Sequence, residues 1–120
     1  MEFKIILNPV DGSEHSENST RYAIELAKQF SAKVILLHCH SRYPAILAEP
    51  YFQQAVNKII KHSEELVESY ERMLDEGGVE YDVRILEGPP GQKIADAARI
   101  EKADLIVMGS RGMTDFTGLI

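Results

Sequence analysis

The apolar positions change period several times along the chain. Residues 3 to 8, FKIILN, form a short apolar run rich in β-branched side chains, and Pro9 and Gly12 punctuate its end, so a first buried strand is expected there. Ser13 or Ser16 can then cap a helix with Glu14 and Glu17 near its N-terminus. Within it Tyr22, Ala23, Leu26, Ala27 and Phe30 recur at three- and four-residue spacing. KVILLHCH, residues 33 to 40, reads as a second strand. After the loop SRYPAILAEP, Phe52, Val56, Ile59, Ile60, Leu66, Val67, Tyr70, Met73 and Leu74 trace one face of a long helix that Gly77 and Gly78 end. EYDVRILE alternates polar and apolar residues, as a strand with one less deeply buried face does. GPPGQKIADAARIEKA is a turn followed by a shorter helix on Ile94, Ala97, Ala98 and Ile100, and DLIVMG is a fourth strand.

Strands alternating with helices predict an α/β fold. The sheet is open and mostly parallel, its crossovers are right-handed, and helices cover both faces. Residues 1 to 120 read as one domain, without repeat, low-complexity tract or linker. Ligands of such sheets sit beyond the C-terminal ends of the strands, where strand order reverses. Three loops occupy those ends: NPVDGS, HCHSR and MGSRG.

Charge and composition narrow the partners. Thirteen Lys and Arg against nineteen Asp and Glu leave a net charge of −6, which argues against a nucleic-acid partner. No apolar stretch approaches the ~20 residues of a membrane helix, so no membrane partner is expected. MEFKIILNPVDG lacks the features of a signal peptide. The single cysteine, Cys39, excludes an internal disulfide and suits a reducing cytoplasm.

Glycines at 109 and 112 permit positive φ and close backbone approach, so the Gly109-Ser110-Arg111-Gly112 turn can aim successive amides at an anion; a strand-ending turn uses glycine equally well. Arg111 can add a charge-assisted bond or point to solvent. Asp11 can accept from ribose hydroxyls, share a magnesium ion, or simply build a turn with Gly12 and Ser13. GPPGQK is not a phosphate loop: two prolines replace the four residues that motif needs, and Ile94 follows Lys93. His38 and His40 share one strand face with Cys39 on the other, without the convergent ligands of a metal site. Met108 ends an apolar strand and reads as core or as a wall against an adenine ring. No nucleophile elbow appears.

ILNPVDGSEHS, AKVILLHCH and ADLIVMGSRG, in this order and spacing from residue 3 to 120, resemble the universal stress protein family. The resemblance implies a parallel sheet of order 3-2-1-4-5, usually a homodimer or higher oligomer, and in one branch the binding of ATP. It implies first-strand contacts from Pro9, Val10 and Asp11, with Asp11 at the ribose or Mg2+. It places Cys39 where the second-strand backbone meets adenine, Met108 and Gly109 on the pocket wall, and Gly109, Ser110, Arg111 and Gly112 at the phosphates of ATP, ADP or AMP. The family's phosphate motif, G-x2-G-x9-G-[ST], would need a further glycine at 122, past Ile120, and the fifth strand lies past it too. Asp115 adds a carboxylate where a triphosphate is expected. A shortened member, or one completed by another chain, is the corresponding expectation.

Three functions compete. The first is an adenine-nucleotide-binding stress sensor or regulator rather than a fast enzyme. The second is a member that acts through dimerisation and protein contacts without nucleotide. The third is an enzyme, either a slow ATPase or a receiver-type phosphoacceptor; the receiver's acidic cluster is represented by Asp11 alone, and the third strand ends in ILEG.

Overall fold

The computed structural model describes residues 2 to 109. Their elements are β1 (Ile5–Val10), α1 (Glu14–Phe30), β2 (Lys33–His40), α2 (Tyr51–Gly77), β3 (Tyr81–Glu87), α3 (Pro90–Ile100) and β4 (Leu105–Ile106). All strand pairs are parallel and the order is β3-β2-β1-β4, the order expected through the fourth strand. Side chains that alternate along β1 and β2 build two cores. Ile6, Val10, Val34 and Leu36 pack with α1 and α2, while Leu7, Ile35 and Leu37 pack with Ile94 and Ala97 of α3.

Local sequence explains the boundaries. Ser13 caps α1, its hydroxyl accepting from the Ser16 amide at 3.2 Å, with Glu14 and Glu17 in the first turn. Gly78, at φ 70°, terminates α2 in the left-handed conformation. Pro90 starts α3, where a missing amide hydrogen costs nothing.

The buried face of α1 differs from the apolar stripe in its sequence. Tyr22 is 70% exposed and Phe30 is partly exposed, its ring edge-on to Phe3. Ala23 and Ala27 of that stripe are buried and Leu26 packs against the core, but the helix also buries Ser16, Ser19, Thr20 and Ile24. Polar residues can line the core here because β1 offers them partners. The Asn8 side-chain amide, fully buried, accepts from the Thr20 hydroxyl at 2.8 Å and donates to the Val107 carbonyl at 2.8 Å, with a longer 3.4 Å bond to Ser19.

Pro9 lies inside β1 rather than closing it. The β4 segment donates from Asp104 to the Ile5 carbonyl and from Val107 to the Leu7 carbonyl, so odd-numbered residues of β1 face β4. Pro9 would supply the next amide in that ladder and has none. The Val107 carbonyl is taken by Asn8 instead, and strand pairing stops at Ile6 and Leu7. This is why β4 is shorter than DLIVMG suggests.

The first turns of α2 and the preceding loop reach past the sheet. Ile46 is 95% exposed, and Leu47, Tyr51 and Ile60 are exposed as well. The expected apolar face of α2 is therefore buried only over its second half, at Val67, Tyr70 and Leu74, with Ser63 at its outer limit.

Replacing Asn8 by leucine keeps the volume but strands the Val107 carbonyl. Urea unfolding of Asn8→Leu is expected to show a loss of about 2 kcal/mol. An unchanged midpoint would mean the amide does not hold β4.

Candidate functional site

Asp-Gly-Ser at the end of β1 folds into a turn stapled by its own side chains. Asp11 Oδ1 accepts from the Ser13 amide and the Ser16 hydroxyl, each at 2.9 Å, and Ser16 Oγ accepts in return from the Asp11 amide at 2.8 Å. Burial pushes the Asp11 carboxyl up, but the hydrogen bonds from Ser13 and Ser16 outweigh it and hold it below the usual aspartate value. Its other oxygen, Oδ2, makes no hydrogen bond to the protein among the described residues. Gly12 has φ 87°, and its amide donates to the Tyr70 hydroxyl at 3.1 Å. A Cβ there would come within 3.1 Å of Leu66, so glycine suits both the conformation and the close approach of α2.

Above this turn a cleft of about 520 Å³ opens over the C-terminal ends of β1 and β2. That volume suits a small organic ligand. Alternation along the strands divides its wall between the two faces of the sheet. Pro9, Leu37, Cys39, Pro90 and Ile94 form the α3 side; Val10, His38, His40, Ile59, Ser63 and Leu66 form the α2 side. Lys58 and His62 of α2, with Asp11 and Ser41, complete the lining.

His38 is buried and its Nδ1 donates to the Val10 carbonyl at 3.0 Å, tying β2 to β1 below the cleft. Burial lowers its pKa, against the opposing pull of the Val10 bond, so the ring is neutral at neutral pH. Burial also raises the Cys39 thiol to about 11, which makes it a poor nucleophile. No three His, Cys, Asp or Glu side chains converge as a metal site among the described residues. No described helix is long and apolar enough to cross a membrane.

Of the residues singled out in the sequence, Pro9, Val10, Asp11 and Cys39 come together in this cleft. Met108 packs against the α3-side core with Leu7, Ile35 and Leu37. Gly109 abuts the first turn of α1, where a Cβ would lie 2.9 Å from His15 Cβ and 3.0 Å from its carbonyl carbon. Ser110, Arg111 and Gly112 lie outside the described residues, as does Asp115.

Sequence reasoning missed the contribution of α2: Ile59 and Leu66 read only as part of its apolar face, and Lys58, His62 and Ser63 were not read as lining. Ser63 carried a signal, since it stands four residues before Val67 on the stripe continued by Tyr70 and Leu74. In this helix that serine stands where the stripe passes from the core to the border of the cleft.

The universal stress protein family model matches residues 2–120. A Thermus aquaticus universal stress protein is 36% identical over 111 residues, spanning 92% of this chain and 80% of its own length. The solved structure of the Methanocaldococcus jannaschii protein MJ0577 superposes with a TM-score of 0.82 at 29% identity, over 96% of this chain and 80% of that one. An Arabidopsis thaliana family member solved with AMP bound has the same fold, with a TM-score of 0.70 at 20% identity over 96% of this chain and 82% of that one.

The lowered pKa of His38 sets an acid limit. Between that value and the ordinary histidine range near 6.5, the unfolded chain binds more protons than the folded one, so stability falls as pH drops through this window. Asp11, whose pKa is also lowered, loses its contribution only at more acid pH, below about 4. Tm is expected to drop between about pH 7.5 and pH 5.5, and His38→Asn, whose amide can replace the Nδ1 bond without titrating, should flatten that drop. An identical slope in the variant would assign the effect to other groups.

Proposed function

Because the chain belongs to the universal stress protein family, we propose that its cleft binds an adenine nucleotide, and that the protein is a stress-response sensor or regulator rather than a fast enzyme. The observation that carries this reading is the cleft itself. It lies over the strand ends beside the reversal of strand order between β1 and β4, has apolar walls suited to a flat base, and has one fixed carboxylate at its edge. AMP bound to the same fold in the Arabidopsis protein supports it.

In this reading Pro9, Val10 and Cys39 border the base, and Asp11 Oδ2 accepts from a ribose hydroxyl. Met108 and the Gly109–Gly112 turn complete the nucleotide grip, and Gly109 itself stands against the first turn of α1. Mg2+ fits less fully than the nucleotide. Asp11 is the sole carboxylate among the described residues that line the cleft, so the ion's remaining ligands would be phosphate and water. The reading also takes the protein to be cytoplasmic and homodimeric.

A second reading, a member acting through dimerisation and protein contacts, is favoured by a different observation. Ile106 of β4 is exposed, and Ile46, Leu47 and Tyr51 form an exposed apolar projection. Light scattering that shows a dimer in a protein without nucleotide affinity would favour it.

Calorimetric titration with AMP, ATP and magnesium-ATP is expected to give stoichiometric binding with dissociation constants on the order of micromolar. Cys39 provides an independent probe because it is the only cysteine. With its pKa near 11 it should alkylate roughly a hundredfold more slowly at neutral pH than an unperturbed thiol, and saturating AMP should slow it further. No heat and an unprotected Cys39 would remove the nucleotide reading.

A further inference from the structure

Two polar groups on the α2 side of the cleft lack protein partners, and they are complementary. The first is the Ser63 hydroxyl. Ser63 is fully buried and lines the cleft, yet its oxygen makes no hydrogen bond among the described residues. Buried hydroxyls are ordinarily paired, because burial strips them of water and returns nothing. Alanine would fill this helix position without that penalty.

The second is Nε2 of His38. Nδ1 faces the Val10 carbonyl at 3.0 Å, and a carbonyl can only accept, so Nδ1 carries the proton. The neutral ring then presents a bare lone pair at Nε2, for which no bond to the protein is seen among the described residues. His38 shares a strand face with Val34 and Leu36, the side packed by Val67, Tyr70 and Leu74 of α2. Ser63 continues that stripe toward the strand ends, so both groups border the same part of the cleft.

We propose that His38 Nε2 and Ser63 Oγ form the base-reading edge of the cleft: Nε2 accepts from the exocyclic amine of a 6-aminopurine, and the Ser63 hydroxyl donates to the neighbouring ring nitrogen. The inference rests on the nucleotide reading above and adds the source of its selectivity. The apolar part of the wall holds any purine about equally well. An acceptor without a hydrogen of its own does not: a 6-oxopurine turns an oxygen lone pair toward the Nε2 lone pair, and a purine without a 6-substituent leaves Nε2 desolvated and unpaired. A site built to pair a polar group rejects the analogue that lacks it far more strongly than an apolar pocket does.

The test uses the full chain and three probes: AMP, IMP and purine riboside 5′-monophosphate, which lacks the amine. The unaltered protein is expected to bind AMP about tenfold or more tightly than either analogue. Ser63→Ala should hold or raise Tm, because it removes an unpaired buried hydroxyl, while weakening AMP binding several-fold; a purely structural serine cannot move the two in opposite directions. His38→Asn keeps a donor for the Val10 carbonyl but removes Nε2, and should bring AMP and the amine-free analogue to near-equal affinity. Tight AMP binding with no preference over the analogues, or undiminished in Ser63→Ala, overturns the inference and leaves the nucleotide site standing. Failure of the unaltered protein to bind any of the three overturns both.

Discussion

A missing amide hydrogen at Pro9 organises the upper half of this molecule. β1 is the central strand, paired along its length to β2 but to β4 only at its start. Had any other residue stood at position 9, the ladder to β4 could have continued by one more bond toward the strand ends. The proline stops it, and Asn8 satisfies the stranded Val107 carbonyl from the side. Asn8 also meets Thr20 and Ser19, and so ties the first half of α1 to the sheet. Pairing of β1 with β4 thus ends short of the strand ends, the side on which a parallel sheet accommodates ligands.

The same residues then serve two purposes at once. Ser16 is buried, closes the Asp11 turn and supplies the amide that the Ser13 cap needs. Asp11 spends one oxygen on that structure and keeps the other free. Its charge is set by local hydrogen bonds rather than by a cationic partner, so the carboxylate is anionic before any ligand arrives. Nearby on β2, His38 is uncharged for the contrary reason, since burial costs a cation more than the Val10 bond returns. The cleft therefore sets an anion against a neutral acceptor, and its polarity is built by the backbone around it.

Much of this was legible in the sequence. Periodicity placed the strands and helices, and Gly78 ended α2 where expected. The alternation of strands and helices gave a parallel sheet, and the strand order through β4 agrees with that implied by the family resemblance. What hydrophobic periodicity could not see was polar burial. The inward face of α1 begins with Ser16, Ser19 and Thr20, which an apolar count assigns to solvent, and Tyr22 was given a core position it does not hold. For the cleft, the β1 and β2 contributors followed from strand ends and motif. The α2 contributors did not, because whether Ser63 meets solvent, core or cavity depends on how far a helix overhangs its sheet. Local pattern carries no information about that distance.

The bond between the Gly12 amide and the Tyr70 hydroxyl joins two segments 58 residues apart in the chain, the β1–α1 turn and the second half of α2. Leu66 seats itself against Gly12 beside that bond. The floor and one wall of the cleft are therefore a single mechanical piece, ordered when the chain folds and not when a ligand enters. Ordering a mobile loop at the moment of capture subtracts from affinity and slows association. In the nucleotide reading, this part of the cleft is formed before capture, so its ordering subtracts nothing from affinity.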